Sequence, residues 1–152
     1  MSKNLVVIFE VNKFKLSIPI GSVKEIVRMV QIETIPRQPP FIEGIINFRG
    51  THIPIIDLRK RFLVKKFEPW THNSRIVVIH YNSKLIGLIV DEVDAVKNIS
   101  LNTDIDEFID QIYIKEHFVE SVSEDENGLI INIDVNELFS EIEENLLEPI
   151  IN

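Results

Sequence analysis

The hydrophobic positions of this chain fall into short segments that either alternate with polar residues or run without a break. Residues 5–11 are continuous but for Glu10, and residues 14–18 alternate. Residues 75–81 and 85–96 form a second pair of such segments. Short apolar segments separated by Asn, Gly and Pro are typical of β-strands joined by turns. The pattern therefore predicts a mainly β protein with about eight to ten strands and two or three short helices.

The two strand pairs resemble copies of one small unit. At an offset of 70 residues, Asn12 falls on Asn82 and Val7 falls on Val77 without a gap. Asparagine tolerates the left-handed backbone region, so both positions suit a tight hairpin turn. Apolar matches are frequent in a chain rich in Ile and Val, and the two turn asparagines therefore carry most of the weight. We predict an internal duplication on this basis.

Capping residues predict two short helices in the first half of the chain. Ser22 is followed by Glu25 at the spacing of a capping box, which predicts a helix of one or two turns through Arg28. Asp57 precedes residues 58–62 and is predicted to cap a single helical turn there.

The last third of the chain predicts a further hairpin and two more helical segments. Residues 118–122 and 129–133 flank an Asn-Gly pair, which favours a tight turn. Asp134 then repeats the capping pattern, and an apolar stripe predicts a C-terminal helix over residues 135–148. Residues 103–112 have helical spacing, with a loop containing one helical turn as the alternative.

The segment between the two strand pairs predicts a rigid central hairpin. Residues 44–48 and 53–58 read as two strands around a turn in which Gly50 can adopt positive φ. Pro54 has no N–H to donate, so its strand is predicted to lie at a sheet edge or to begin a new pairing. Arg49 is thereby placed at the hairpin tip, where its guanidinium group can meet a partner's carboxylate or carbonyl groups.

Composition narrows the possible partners. The chain has 152 residues, no cysteine and a formal net charge of −8. Its length fits one domain or two small subdomains, and disulfides and thiolate sites are excluded. The acidic balance disfavours nucleic acid and anionic membranes and favours a basic or neutral protein surface. The chain opens directly into a strand and no apolar run reaches about 18 residues, so neither a signal peptide nor a membrane span is expected.

The sequence offers little chemistry for catalysis or cofactors. Its glycines are isolated, so phosphate-binding loops and the nucleophile elbow are absent. The histidines lack metal-ligand spacing and the acidic clusters do not match a calcium loop, so we expect no metal, no cofactor and no catalytic residue. Asp57 and Asp91 each end an apolar strand. Helix capping or a salt bridge to Arg49 or Arg59 is the favoured explanation, and a small acid–base hydrolase using both carboxylates is the alternative.

One long motif resembles a known family. Residues 41–59, Phe-Ile-Glu-Gly-Ile-Ile-Asn-Phe-Arg-Gly-Thr-His-Ile-Pro-Ile-Ile-Asp-Leu-Arg, look like the signature of the CheW family of bacterial chemotaxis coupling proteins. Residues 23–26 and 87–93 fall at the family's spacing, as does the segment 129–134. The resemblance covers nearly the whole chain. It departs from the family pattern at Phe48, where Leu is common, and in a first hairpin turn that lacks glycine.

The resemblance implies a fold of two linked five-stranded SH3-like β-barrels with short helices. A single CheW-like domain would then occupy residues 1–152. Its barrel-like subdomains would span approximately residues 1–70 and 71–135, followed by the C-terminal helix over residues 135–148.

The resemblance also implies a non-enzymatic adaptor that joins the cytoplasmic tip of chemoreceptors, the methyl-accepting chemotaxis proteins, to the regulatory domain of the histidine kinase CheA. Such a protein would be cytoplasmic and recruited to membrane-associated receptor arrays without inserting into the membrane. The resemblance assigns no kinase-contact residues. A CheW-like scaffold of a specialised array, for example in type IV pilus control, is the alternative. Matching the family's motifs position by position assigns six residues to the receptor-binding region or to its structural support: Val23, Glu25, Gly44, Arg49, Gly87 and Val93. The glycines would shape the backbone.

Overall fold

The computed structural model describes residues 4–62, 69–100, 114 and 118–139. Within these residues lie ten strands and three short helices, so the predicted mainly β architecture is confirmed. The strands are β1 (Asn4–Val11), β2 (Phe14–Pro19), β3 (Val23–Arg28), β4 (Ile42–Phe48), β5 (Thr51–Asp57), β6 (Arg75–Tyr81), β7 (Lys84–Val90), β8 (Glu92–Ile99), β9 (Val119–Asp125) and β10 (Gly128–Ile133). The helices are a 3-10 turn (Ile20–Ser22), α1 (Leu58–Arg61) and α2 (Val135–Leu138).

The strands form two five-stranded sheets. The first sheet has the order β8-β1-β2-β10-β9, and the second sheet has the order β3-β6-β7-β5-β4. Each sheet contains two antiparallel hairpins, and these hairpins meet through a parallel pair, β2 with β10 or β7 with β5. The two sheets therefore have the same construction, as the predicted duplication requires.

The sheets do not follow the two halves of the chain. Strand β8 pairs with β1, and strand β3 pairs with β6, so one outer strand of each sheet joins the hairpin of the other half. Each sheet consequently takes strands from both sides of residue 70. The parallel pairs of β2 with β10 and of β5 with β7 also join strands from the two sides of residue 70. Each sheet thus contains strands of both predicted subdomains, whose boundary near residue 70 stays a prediction.

The core explains why several strands read as continuous apolar runs. Val7 of β1 and Val77 and Ile79 of β6 belong to a central cluster that contains residues of both sheets. Ile76 and Val78, the alternate residues of β6, belong to another cluster on the opposite face of the second sheet. Strands buried on both faces need apolar residues at every position.

The helix predicted from Ser22 through Arg28 is wrong. A 3-10 turn ends at Ser22, and Val23–Arg28 form strand β3. The strand pairs with β6 along its length. Its β-branched residues suit a half-buried strand, and backbone pairing with β6 outweighs a local capping pattern.

The strand predicted over residues 85–96 is in fact two strands. β7 ends at Val90 and β8 begins at Glu92. Between them the Asp91 N–H donates a hydrogen bond to the Glu10 carbonyl oxygen at 2.8 Å. The chain leaves the second sheet and enters the first at this residue.

Most of the remaining local predictions are confirmed where the structure describes the residues. Asp57 caps α1 and Asp134 caps α2, each through its side chain. Pro54 is followed at once by the parallel pairing of Ile55 with Gly87, so its strand begins a new pairing there. The helix predicted over residues 135–148 begins as predicted but ends at Leu138, since Phe139 has the non-helical angles φ −122° and ψ 82°. Residues 140–148 and the helix predicted over residues 103–112 lie outside the described residues.

Candidate functional site

Arg49 lies at the tip of the β4–β5 hairpin. Arg49 and Gly50 both have positive φ, 52° and 87°, and form a two-residue turn between the paired residues Phe48 and Thr51. This turn type matches the twist of the flanking strands. The Asn47 side-chain oxygen accepts a hydrogen bond from the Gly50 N–H at 2.8 Å. The arginine therefore sits on a stiff corner, as the sequence predicted.

The Arg49 guanidinium group pairs with the Glu25 carboxylate on β3. Because β3 and β4 are the two outer strands of the second sheet, this contact joins opposite edges and requires the sheet to curl on itself. The guanidinium carbon also lies 5.2 Å from the centre of the Phe48 ring. The Arg49 side chain is nevertheless 67% exposed, and that of Glu25 is 31% exposed. A solvent-accessible ion pair of this kind contributes at most about 1 kcal/mol, so a partner can displace it at little cost.

Val23 and Glu25 lie on the same strand but on opposite faces of it. The register shifts between them, since Val23 pairs with Ile79 whereas Glu25 pairs with Val78. Val23 consequently packs against the central cluster, while Glu25 faces the other side and reaches Arg49. The bulge in this strand therefore places the two side chains on opposite faces of the second sheet.

Val93 holds the corresponding place on β8, one of the two outer strands of the first sheet, and also packs against the central cluster. Ile26 and Val96, three residues further along each strand, are 36% and 52% exposed. They pair with Val77 and Val7, which belong to the central cluster. Each exposed side chain therefore extends the apolar face of the core outward. Sequence reasoning missed Ile26 because it placed that residue on a helix.

Gly44 allows a close approach of two backbones. It has a φ of +150°, and a Cβ atom at this position would lie 2.0 Å from the Glu33 carbonyl oxygen. The approach is fixed, because Glu33 and Ile45 of β4 exchange two backbone hydrogen bonds of 2.9 Å. Gly44 therefore shapes the base of the hairpin that carries Arg49.

Gly87 lies on β7, opposite Ile55 of β5 in the second sheet. A Cβ atom at Gly87 would lie 2.5 Å from Ile55 Cδ1 and 2.8 Å from Ile76 Cγ2. The residue is buried. It therefore serves the packing of β5 against β7 and cannot touch a partner.

Among the six residues predicted for the receptor-binding region, the structure brings Glu25 and Arg49 into direct contact. Val23 and Val93 pack against the same central cluster from different sheets. Gly44 permits a close approach of two backbones, and Gly87 leaves room for the side chains of Ile55 and Ile76.

A second feature is a buried charged cluster around Arg59. The Arg59 Nε atom lies 3.4 Å from Asp57 Oδ1, and its Nη1 atom lies 3.5 Å from Asp91 Oδ1. Its guanidinium carbon lies 3.4 Å from the centre of the Trp70 ring. Asp91 in turn accepts a hydrogen bond from the Asn12 N–H at 2.6 Å. Of the predicted alternatives, helix capping holds for Asp57 and a salt bridge to Arg59 holds for both aspartates. The cluster connects α1 to the first hairpin.

Asp57 combines capping with charge pairing. Its Oδ1 atom accepts a hydrogen bond from the Arg59 N–H at 2.9 Å. Burial raises the pKa of the Asp57 carboxyl group above its ordinary value, although the Arg59 charge and its hydrogen bonds act in the opposite direction.

The cluster does not have the form of a pair of catalytic carboxylates. An open cleft of about 220 Å³ is lined by Asp91, Arg59 and neighbouring residues of the first hairpin, but Asp57 does not line it. Asp57 is 1% exposed and its side chain is engaged by Arg59. General acid–base catalysis requires both groups to reach a substrate. The geometry therefore speaks against the hydrolase alternative.

One group of carboxylates within the described part of the chain approaches the spacing of metal ligands. Oxygen atoms of Glu10, Glu92 and Asp94 lie within 4.8 Å of one another. Lys15 pairs with Asp94, and this hydrogen bond raises the pKa of the lysine. A lysine thus supplies positive charge to the group, and the arrangement is that of a solvated acidic face.

Among residues 4–62, 69–100, 114 and 118–139, no helix has the length and apolar character needed to cross a bilayer.

Comparison with known proteins agrees with this architecture. The CheW-like domain family matches residues 5–143 of the chain. The crystal structure of the scaffolding protein TtCheW from Thermoanaerobacter tengcongensis is similar, with a TM-score of 0.82 and 34% sequence identity. That similarity covers 94% of this chain and 92% of the other.

Two curated relatives match shorter segments. The chemotaxis protein CheW of Bacillus subtilis (strain 168) is 38% identical over 90 residues, which cover 59% of this chain and 57% of the relative. The protein PilI of Pseudomonas aeruginosa is 31% identical over 85 residues, covering 56% of this chain and 47% of the relative. The matched segment thus spans about half the length of these curated relatives.

Proposed function

Since the chain belongs to the CheW-like domain family, we propose that it is a coupling adaptor that joins the cytoplasmic tip of chemoreceptors to the regulatory domain of the histidine kinase CheA. The observation that carries the proposal is the family match over residues 5–143. The adaptor catalyses no reaction, acts in the cytoplasm and is recruited to membrane-associated receptor arrays.

The receptor-facing region in this proposal consists of a charged corner and an apolar margin. Arg49 and Glu25 form the corner, and their exposure supports a role in orientation and specificity. Val23 and Val93 lie at the margin of the central cluster. A receptor helix can bury an apolar stripe against such a margin, which is a recurrent mode of peptide recognition. Gly44 and Gly87 support this region without contacting the receptor.

The direct test is a pull-down of a receptor cytoplasmic fragment and a CheA regulatory domain with wild-type protein and the Arg49→Glu variant. We expect Arg49→Glu to fold, since the side chain is exposed, and to lose at least about tenfold in receptor affinity if a charged hydrogen bond to the partner is lost. Binding to the kinase domain is expected to be unchanged. Arg37→Glu is the matched control, because Arg37 is also exposed and also has positive φ in a turn.

A charge exchange separates direct contact from internal support. In the double variant Arg49→Glu/Glu25→Arg the intramolecular pair is restored with reversed charges. If Arg49 touches the receptor, binding stays weak in the double variant. Full recovery would mean that the ion pair only holds the two strands together. Normal receptor binding by Arg49→Glu itself would count against the proposed region.

The similarity to the Pseudomonas aeruginosa protein PilI supports a second candidate, a CheW-like scaffold in a specialised chemosensory array. The two candidates differ in their partners and not in mechanism. Pull-downs with the receptor and kinase of each system, encoded in the same cell, distinguish them.

A further inference from the structure

A basic cleft lies at the end of β3, where this strand meets β6. It has a volume of about 400 Å³ and is lined by Arg28, Met29, Arg75 and the turn of residues 71–74. These described lining residues include no Asp or Glu. A positively charged cleft is unexpected in a chain with a formal net charge of −8.

Two arginines are directly opposed in this cleft. Arg28 and Arg75 are partners in the antiparallel pairing of β3 with β6. Directly opposed residues have Cβ atoms about 4.5–5.5 Å apart and point to the same face of the sheet. Like charges at such positions destabilise the sheet. An anion bound between them would reverse that effect.

Arg75 cannot easily turn away from Arg28. Its Nη1 atom donates hydrogen bonds to the carbonyl oxygens of His72 at 2.9 Å and of Ser74 at 2.8 Å. The turn that presents these carbonyls is itself closed, since the Thr71 N–H donates to Ser74 Oγ at 2.9 Å and the Ser74 N–H donates to the Thr71 carbonyl at 3.0 Å. The guanidinium group is therefore preorganised at the cleft.

Arg28 supplies the second set of donors. Its side chain is exposed, and no partner for it is seen among the described residues. We propose that the cleft binds a dianionic phosphoryl group between Arg28 and Arg75. Two guanidinium groups match its two negative charges, and their forked N–H groups suit oxyanion geometry. This site is independent of the coupling function.

Titration of labelled wild-type protein followed by amide NMR signals tests the site. The probes are sodium phosphate, sodium methyl phosphate and sodium acetate at pH 8, with ionic strength held constant by sodium chloride. We expect saturable shifts of the signals of residues 71–75 with phosphate, and at least about tenfold weaker binding of the monoanion acetate. Methyl phosphate binding as tightly as phosphate indicates an organic ester, and weaker binding indicates the free ion. Unsaturable shifts, or acetate binding equal to phosphate, would overturn the proposal.

The Arg28→Gln variant localises the site. Arg28 is exposed, so the fold should be retained, and phosphate affinity is expected to fall about tenfold or more. Lys24→Gln is the matched control, because it removes one exposed positive charge from the same strand outside the cleft. Phosphate should raise the Tm of wild type and Lys24→Gln but not of Arg28→Gln. Equal phosphate affinity in all three proteins would reject the site.

Discussion

The two sheets are built alike, yet the junctions where their hairpins meet in parallel differ in chemistry. In the second sheet the junction pairs Ile55 with Gly87, and in the first it pairs Asn132 with Ser17. Gly87 follows Ser17 by the 70-residue offset of the first hairpins. One junction is closed by an isoleucine lying over a glycine, and the other by hydrogen-bonded polar side chains.

The polar junction is fully connected. Ser17 donates to Asn132 Oδ1, and Asn132 Nδ2 donates to the hydroxyl oxygens of Ser121 at 2.9 Å and Ser123 at 3.1 Å. Ser123 donates onward to the Ser100 carbonyl oxygen at 2.6 Å. A buried polar network is acceptable only when its members are satisfied. The same architecture therefore tolerates two solutions, one by shape and one by hydrogen bonding.

The two helix caps also differ, in burial and in charge pairing. The N–H of Asp57 donates to the Phe41 carbonyl oxygen, and the N–H of Asp134, 77 residues later, donates to that of Phe118. Asp57 is 1% exposed and pairs with buried Arg59, whereas Asp134 is partly exposed. The duplicated cap has thus become a buried ionic cluster in one copy only. This contrast identifies the positions where a single substitution should act differently on the two copies.

The largest contrast is expected at the second residue after each cap. Arg59→Met leaves the Asp57 carboxylate buried without its partner, and we expect a loss of about 3–5 kcal/mol in the free energy of unfolding. Asn136→Met changes the equivalent exposed position and should alter the free energy of unfolding by less than about 0.5 kcal/mol. Urea denaturation followed by circular dichroism measures both. Equal stabilities of the two variants would show that the buried cluster contributes nothing.

A smaller contrast is expected at the parallel junctions. Gly87→Ala places a methyl group against Ile55 Cδ1 and Ile76 Cγ2. We expect this overlap to lower the free energy of unfolding by about 2–3 kcal/mol. Ser17→Ala removes a hydroxyl group from the polar junction and should cost about 1–2 kcal/mol.

The partner change Ile55→Val discriminates between the two effects, because valine lacks the Cδ1 atom. In the double variant Gly87→Ala/Ile55→Val the two changes should be non-additive, with part of the stability recovered. Ser17→Ala combined with Ile55→Val should be additive. Additivity in both combinations would mean that steric overlap with Ile55 is not the source of the loss.

These contrasts also mark what the sequence could predict. The hairpin turns at Asn12 and Asn82, which both have positive φ, and the caps at Asp57 and Asp134 were predictable, because these residues act on their own backbone neighbourhood. The helix assigned after Ser22 was wrong, because pairing with β6 is a long-range effect that no local pattern contains.

The same distinction between local and long-range effects applies to the candidate site. Arg49 was placed correctly at its corner because the turn residues are local. The opposite faces of Val23 and Glu25 depend on a bulge in the pairing with β6. The burial of Arg59 depends on Asp91 and Trp70, which are distant in sequence.

The smallest predicted effect concerns pH and the buried cap. Because the pKa of Asp57 is raised in the folded protein above its ordinary value of 3.8, the native state holds this proton more tightly than the unfolded chain does. The stability from this proton is present below the ordinary pKa and is lost as the pH rises through the raised folded value. Asp57→Asn removes the titration but keeps an oxygen that can accept the Arg59 N–H. The unfolding free energy of wild type minus that of Asp57→Asn, measured in urea, should therefore fall as the pH rises above 3.8. If that difference instead rises with pH, the attraction of Arg59 outweighs the burial of Asp57, and the ionic cap of the second sheet is a net source of stability.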